Sequence, residues 1–399
     1  MRKIAVFASV VLFVFASCSS TVKIDTESGD YAAWKTPRGS FYNSASSIYS
    51  PEPPYAVVWE KQLPNPTQAT VVAASTILIV TDDESNIYCL NQEDGSVVWS
   101  RKLSEKPADI QPIIGVNTIF CFDGNSNILC LDVNDGSTIW STEIDGNIVG
   151  WPIIDGGKLW FVTESLLYCV EETKGTVIKT KGFDCEFTQP PSLQRYLYLV
   201  AGNKIIAVDD KTYNEVWSLY FQNDIIGPIA CVRNLLYVVD GRLFQLDDTT
   251  GAVIGSYKYL MPTTSGEIID SPEYLVNLVS PPAVYQNVIC VGTSQGTVIG
   301  LNEQLQLLWS LGVTLPVESQ VTIGADKVYF GGQNGKVYVG SVADGRWLWH
   351  NSFKFMDKDD PVMSAITLLD NRFFAVSVSG IIKRFDIGGE PMTRDEMIN

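Results

Sequence analysis

The chain repeats itself. From residue 55 onward a unit of roughly forty residues recurs, and a period of that length decides the fold before any domain boundary is drawn. The clearest copies are Ile87-Tyr88-Cys89-Leu90-Asn91 followed by Asp94-Gly95-Ser96-Val97-Val98-Trp99, and Ile128-Leu129-Cys130-Leu131-Asp132 followed by Asp135-Gly136-Ser137-Thr138-Ile139-Trp140. Later copies decay but keep the frame. They are Val170-Glu171 with Gly175 and Lys179, Val208-Asp209 with Trp217, Leu246-Asp247 with Gly251 and Gly255, Leu301-Asn302 with Trp309, and Ser341 with Gly345 and Trp349. The last copy reaches Phe385-Asp386 and stops without its Trp. The missing piece stands at the other end of the repeats, where Tyr55 to Leu63 reads as a closing strand around Trp59.

Within a unit the order is constant. Gln111-Pro112-Ile113-Ile114, Thr118 to Phe122, Ile128 to Leu131 and Thr138 to Trp140 are apolar stretches separated by short Gly, Asp and Asn turns. Four short strands per unit make a propeller blade. The eight frame positions 59, 99, 140, 179, 217, 255, 309 and 349 predict an all-β, eight-bladed β-propeller of four-stranded antiparallel blades over 55–387. A strand from the N-terminal side completes the last blade, so no raw edge remains at the junction. A length of 399 residues, which by itself suggests two or three domains, becomes one ring. The tryptophans read as packing between blades rather than as a ligand cage.

Residues 1–17 read as a lipoprotein signal peptide. Arg2 and Lys3 precede an apolar run from Ile4 to Ala16, too short to span a bilayer comfortably, and Phe15-Ala16-Ser17-Cys18 resembles a lipobox with Phe where Leu is usual. Cys18 is the expected lipid attachment, and Ser19 after it resembles sorting to the outer membrane. Residues 18–54, rich in Ser, Thr, Pro and Tyr, read as a tether, and 388–399 as a tail.

Composition closes several routes to chemistry. The net charge of −17 opposes a phosphate backbone, so nucleic acid is not an expected partner, and no polybasic patch suits anionic lipid. His350 is the single histidine; a multi-histidine metal site cannot form, no CxxC offers a thiolate zinc site, and His350 itself reads as an exposed histidine at a strand end. Asp132 to Gly136 hints at calcium but fits turn chemistry better, and Asp82-Asp83, Asp209-Asp210, Asp247-Asp248 and Asp359-Asp360 read as solvated loops. No catalytic set, metal site or cofactor is expected.

Cys89, Cys130 and Cys169 share a small, buried third-strand position with Ala207 and Gly300. Cys121 and Cys290 are placed at one second-strand position with Ile79, Leu199 and Val238. A Cys121–Cys130 disulfide across one hairpin is an alternative to simple core packing, and Cys185 and Cys231 have no assigned place.

One interval breaks the period. Trp217 to Gly255 spans 38 positions but Gly255 to Trp309 spans 54, with the excess in Lys258 to Leu278. Insertions between repeats gather on one face, often the binding face, although a tolerated surface loop fits the same spacing. Glu267, Ile268 and Asp270 are the expected partner-binding residues.

Leu131-Asp132, Gly136 and Trp140 are similar to the PQQ-like propeller repeat. With the signal and the eight units, the chain resembles the BamB family of outer-membrane assembly lipoproteins. The resemblance implies a non-catalytic, periplasm-facing scaffold without quinone, bound to a BamA-like barrel-assembly protein and to the membrane through its lipid. Quinone-dependent dehydrogenases share the repeat. Many of them carry adjacent cysteines, and this chain has no Cys-Cys pair. A ligand-binding or envelope-sensing propeller that uses its central channel is a further reading.

Overall fold

A computed structural model describes residues 24, 26, 33–105, 111–261, 267–313 and 315–389. Cys18, the signal segment and nearly all of the C-terminal tail lie outside them. The second and third strands of each unit are continuous apolar runs, as sheets covered on both faces require. Ile77–Thr81 is buried at every position. The outermost strand alternates: in Val97–Lys102 half-buried and exposed residues take turns towards its end. Eight four-stranded antiparallel sheets result. Strand Tyr55–Gln62 pairs with Ile381–Ile387 and is the outermost strand of blade 8, so the ring closes as the repeat predicts.

Strand register places the frame positions at one site per blade. Trp99 lies opposite Cys89, Trp140 opposite Cys130, Lys179 opposite Cys169, Trp217 opposite Ala207, Gly255 opposite Gln245, Trp309 opposite Gly300, Trp349 opposite Val339 and Trp59 opposite Arg384. Most of these indoles lean on the following blade. Trp99 donates its Nε1–H to Val133 O at 2.9 Å, and Gly136 of that same turn lies beneath its ring. Gly136 has φ +69°, and a Cβ there would stand 2.6 Å from the indole, so both backbone and space demand glycine. The same donor bond runs from Trp59 to Gln92 O, Trp140 to Glu172 O, Trp217 to Asp248 O and Trp309 to Val342 O. Because Trp59 belongs to the N-terminal strand, the ring is sealed by the joint that builds it.

Two joints have lost the indole, and both are repaired. Where Gly255 replaces Trp, Leu305 of the next blade approaches: a Cβ on Gly255 would lie 3.2 Å from its side chain. Gln245, opposite Gly255, donates Nε2–H to Glu303 O at 3.2 Å, the carbonyl an indole would otherwise reach. Where Lys179 replaces Trp, the next turn carries Tyr213 at φ +63° in place of glycine. Its ring tilts against Trp160 at 5.6 Å, with the Lys179 ammonium 5.8 Å from its centre.

Every outermost strand also carries a bulge. The register slips at Val58, Val98, Ile139, Ile178, Val216, Ile254, Leu308 and Leu348, each immediately before its frame position. A bulge interrupts the row of free backbone groups that an edge strand offers, which protects eight exposed edges from adding foreign strands.

The expected tether needs correction for residues 34–54. Trp34 is 1% exposed and exchanges backbone hydrogen bonds with Ala73. Lys35 O accepts from Ile114 N, Phe41 O from Leu193 N, Tyr42 O from Cys231 N, Ser44 O from Val284 N and Ala45 O from Ile323 N. Those six partners sit on or beside the innermost strands of blades 1, 2, 4, 5, 6 and 7. A segment of a dozen residues that reaches six blades from within lies across the propeller axis. It is a plug. Arg38, fully buried, donates from Nε to Asn43 O at 3.0 Å and from Nη2 to Pro282 O at 2.5 Å. Asn43 donates to Pro191 O and Ser192 Oγ. Composition concealed this because polar side chains here bond backbone rather than water.

Smaller expectations change too. Cys121 pairs with Leu129 and Cys130 with Phe120, so the two thiols point to opposite faces of blade 2 and form no disulfide. Cys290 shares the position of Ile79, whereas Cys121, Leu199 and Val238 stand one residue later; all are core. Cys231, unassigned from sequence, is buried beside the plug, and Cys185 is half-buried. His350 is not at a strand end: it is half-buried within Trp347–Ser352, opposite Tyr338. Asp82, Asp248 and Asp360 are buried rather than solvated. Burial would push the Asp82 carboxyl up, but hydrogen bonds from Asn65, Asn86 and Tyr88 outweigh it and hold the group below its ordinary range. Asp132 and Asp135 accept from Asn134 N and Ser137 N, the turn chemistry expected of them.

Burial pushes the thiols of Cys89, Cys121 and Cys130 up to about 12. They therefore remain protonated and sealed at neutral pH. Of the seven cysteines that follow Cys18, only Cys185 should react with a thiol reagent in the native state. The rest should react together with global unfolding, which a labelling time course followed by peptide mapping would show.

Candidate docking site

A propeller has two faces. Links from an outermost strand to the next innermost strand share one face with the turns between second and third strands. Turns between first and second strands, and between third and fourth, share the other. The plug bonds the carboxyl ends of innermost strands, so it closes the second face.

The insertion stands on the first face. Tyr259–Leu260 pairs with Leu275–Val276, and Tyr259, Val276 and Leu278 are buried in the core between blades 5 and 6. On this fixed stem the loop holds its apolar residues outward: Ile268 is 66% exposed, with Met261, Ile269 and Leu275 also exposed. Of the three residues expected from sequence, Ile268 is the most prominent apolar group. Asp270 is engaged by Lys258, whose Nζ lies 2.5 Å from a carboxylate oxygen. That exposed pair adds little stability but ties the returning strand to the stem. Glu267 is exposed beside them. Residues 262–266 lie outside the described residues.

A second hairpin on the same face escapes sequence reading. Lys354–Phe355 pairs with Lys358–Asp359, and Met356 and Asp357 form its tip at φ +50° and +62°, a tight two-residue turn. Met356 is 81% exposed and Phe355 is exposed beside it. The tryptophan spacing misses this insertion, because the outermost strand of blade 8 lies at the other end of the chain; the third-strand frame carries its only trace, 45 positions from Ser341 to Asp386 against 38 to 41 in the regular units. The link between the two hairpins exposes Leu315. Elsewhere on this face Leu63, Ile144, Phe221 and Ile225 are buried in their links. Three consecutive links, blade 5 to blade 8, thus each expose apolar side chains on this face, with charged neighbours Lys258, Asp270, Lys354, Lys358 and Asp359 beside the two hairpins. Apolar groups raised on fixed stems and rimmed by charge are the surface a protein partner buries.

Among the described residues no three His, Cys, Asp or Glu side chains converge as a metal site. On the plugged face, hollows of about 300 and 410 Å³ flank Tyr42, lined by plug residues and the innermost strands of blades 3 to 6.

Comparison with known proteins places this architecture. No curated protein matches the chain in sequence. Among solved structures, BamB from Moraxella catarrhalis aligns over 86% of this chain and 100% of its own, with a TM-score of 0.65 and 16% identity. The computationally designed Ika8 protein aligns over 82% and 98%, with a TM-score of 0.67 and 15% identity. Quinohemoprotein alcohol dehydrogenase from Comamonas testosteroni aligns over 91% and 81%, with a TM-score of 0.72 and 11% identity. At such identities these structures share the fold alone. The sequence profile described as outer membrane protein assembly factor BamB matches residues 44–114, 107–181 and 263–393. That match covers more than half of the chain and includes the second hairpin, the returning strand of the first and part of the plug, and by it the chain belongs to the family of outer membrane protein assembly factor BamB.

Proposed function

We propose that this protein is a non-catalytic lipoprotein scaffold of outer-membrane protein assembly, anchored through Cys18, periplasm-facing, and docked to a BamA-like partner through its two hairpins. The observation that carries the reading is the exposure of Met261, Ile268, Ile269, Leu275, Phe355 and Met356 on two hairpins of one face, in a family named for assembly. Ile268 supplies the central anchor, with Glu267 and Asp270 on the rim.

A channel ligand is disfavoured by the plug, which fills one mouth of the axis with Arg38 and Asn43. Quinone-dependent oxidation has the shared fold behind it, but the residues do not fit: among the described residues no carboxylate cluster converges to hold a calcium ion, and the plug crosses the axis. Dye-linked alcohol or sugar oxidation after addition of the quinone and calcium would revive that reading.

Photocrosslinking from positions 268 and 356 in native membranes tests the scaffold. Recovery of a barrel-assembly protein from both is expected, and recovery from neither sinks the proposal. The double variant Ile268→Asp/Met356→Asp should weaken partner binding about tenfold or more, as loss of central apolar anchors does. Its urea midpoint should be unchanged, because both side chains stand in solvent.

A further inference from the structure

The plug does not begin at Trp34. Ile24 is 7% exposed, packs into the core of blades 1 and 2, and donates its backbone N–H to Asn134 Oδ1 at 2.7 Å. Thr26 donates Oγ to Gly115 O and receives Asn117 N–H on its hydroxyl. Asn134 lies in the third-to-fourth-strand turn of blade 2, and Gly115 and Asn117 in its first-to-second-strand turn. Both turns are on the plugged face. The chain is therefore already fixed to that face at Ile24, and six residue steps separate Ile24 from Cys18. Six steps of extended chain span at most about 20 Å.

We propose that the N-terminal segment is a short leash that orients the propeller, holding the plugged face at blade 2 toward the lipid bilayer and the hairpin face away from it. This rests on the lipoprotein reading of Cys18. A tether of the length read from sequence, to residue 54, would permit every orientation. A leash fixed at Ile24 does not, because the strands between the faces are about six residues long and separate the two faces by roughly 20 Å or more. The hairpin face cannot turn to the membrane without tearing Ile24 and Thr26 from blade 2. Charge sets the standoff. The turns of the plugged face carry Glu93, Asp94, Asp135, Glu171, Glu172, Asp209, Asp247, Glu303 and Asp344 against Lys174, Arg195, Lys211, Arg233, Arg346 and Arg372; Glu93, Glu171, Glu303 and Asp344 are paired with such bases, and the acidic excess that is left disfavours close contact with anionic headgroups. The lipid anchor holds the ring near while like charge keeps this face from lying flat.

The test uses the full lipidated chain in phosphatidylethanolamine–phosphatidylglycerol vesicles with an acceptor dye on the headgroups. A fluorescent amino acid replaces either Val116, exposed on the plugged face, or Met356, exposed on the hairpin face. Energy transfer from 116 should exceed that from 356 by about twofold or more, given the separation of the faces. Inserting twenty Gly/Ser residues between Cys18 and Ile24, which adds roughly 25 Å of reach, should abolish the difference. Equal transfer from the two positions in the unmodified chain, or stronger transfer from 356, overturns the orientation. Mass spectrometry of the N-terminal peptide separates the two readings: absence of lipid on Cys18 defeats the anchor itself, whereas a lipidated chain with equal transfer defeats only the leash.

Discussion

Trp59→Ala should destabilise the fold by about 3 kcal/mol, near the lower end for loss of a packed tryptophan because the ring is partly exposed. Trp59 is the last staple of the ring. It tilts against Phe374 at 5.9 Å, donates to Gln92 O at 2.9 Å and covers Gly95 of blade 1. Without it, closure depends on the pairing of Tyr55–Gln62 with Ile381–Ile387 and on ion pairs such as Arg384 with Glu93. Gly95→Ala attacks the same joint from below. Its φ is +69°, and the new Cβ would lie 2.8 Å from the indole, so both strain and collision oppose it. The two costs separate in a double-mutant cycle. In the Trp59→Ala background the collision is gone and Gly95→Ala should cost only the backbone penalty, about 1 kcal/mol. Urea unfolding of the four proteins measures this, and additive costs would show that indole and glycine do not form one joint. Val58→Ser, at the neighbouring bulge, is the control: its side chain is exposed, and the change should stay within about 0.5 kcal/mol.

The ring was legible because its information is periodic. A frame of Asp or Asn, Gly and Trp repeated with small shifts fixes strand order, register and closure together, and the blades at Lys179 and Gly255 were countable even without their indoles. What replaces those indoles was not legible. Leu305 with Gln245, and Tyr213 with Lys179, each restore a joint from a turn residue of one blade and a strand residue of its neighbour, and nothing in linear spacing pairs them. The first hairpin announced itself as excess length between two frame positions. The second left only a faint excess between Ser341 and Asp386 and none in the tryptophan spacing, because blade 8 is split between the two ends of the repeat region. The plug failed for another reason. Residues 34–54 have the composition of a linker, and only the folded ring supplies the row of free backbone groups on its innermost strands that such a segment can satisfy.

Arg38→Ala should destabilise by about 2–4 kcal/mol, since it strips buried carbonyl groups of their donors and removes a buried stem. The guanidinium is the keystone of the plug. Burial pushes it down to about 9, which still leaves it charged at neutral pH. Its donors are met by Asn43 O within the plug and Pro282 O in the ring, so one side chain joins the segment's own fold to blade 6. Arg38→Lys should recover only part of the loss, because a single ammonium cannot reach two carbonyls in the fork geometry of arginine. The decisive measurement is limited proteolysis alongside urea unfolding. Cleavage within 34–54 should accelerate in Arg38→Ala while the blades stay protected, because the segment detaches before the ring opens. If cleavage is as slow as in the unmodified protein and the urea midpoint does not move, Arg38 is not what holds the plug. If the blades are cut together with the segment, plug and ring are one cooperative unit, and the N-terminal segment is part of the propeller's core rather than a cap upon it.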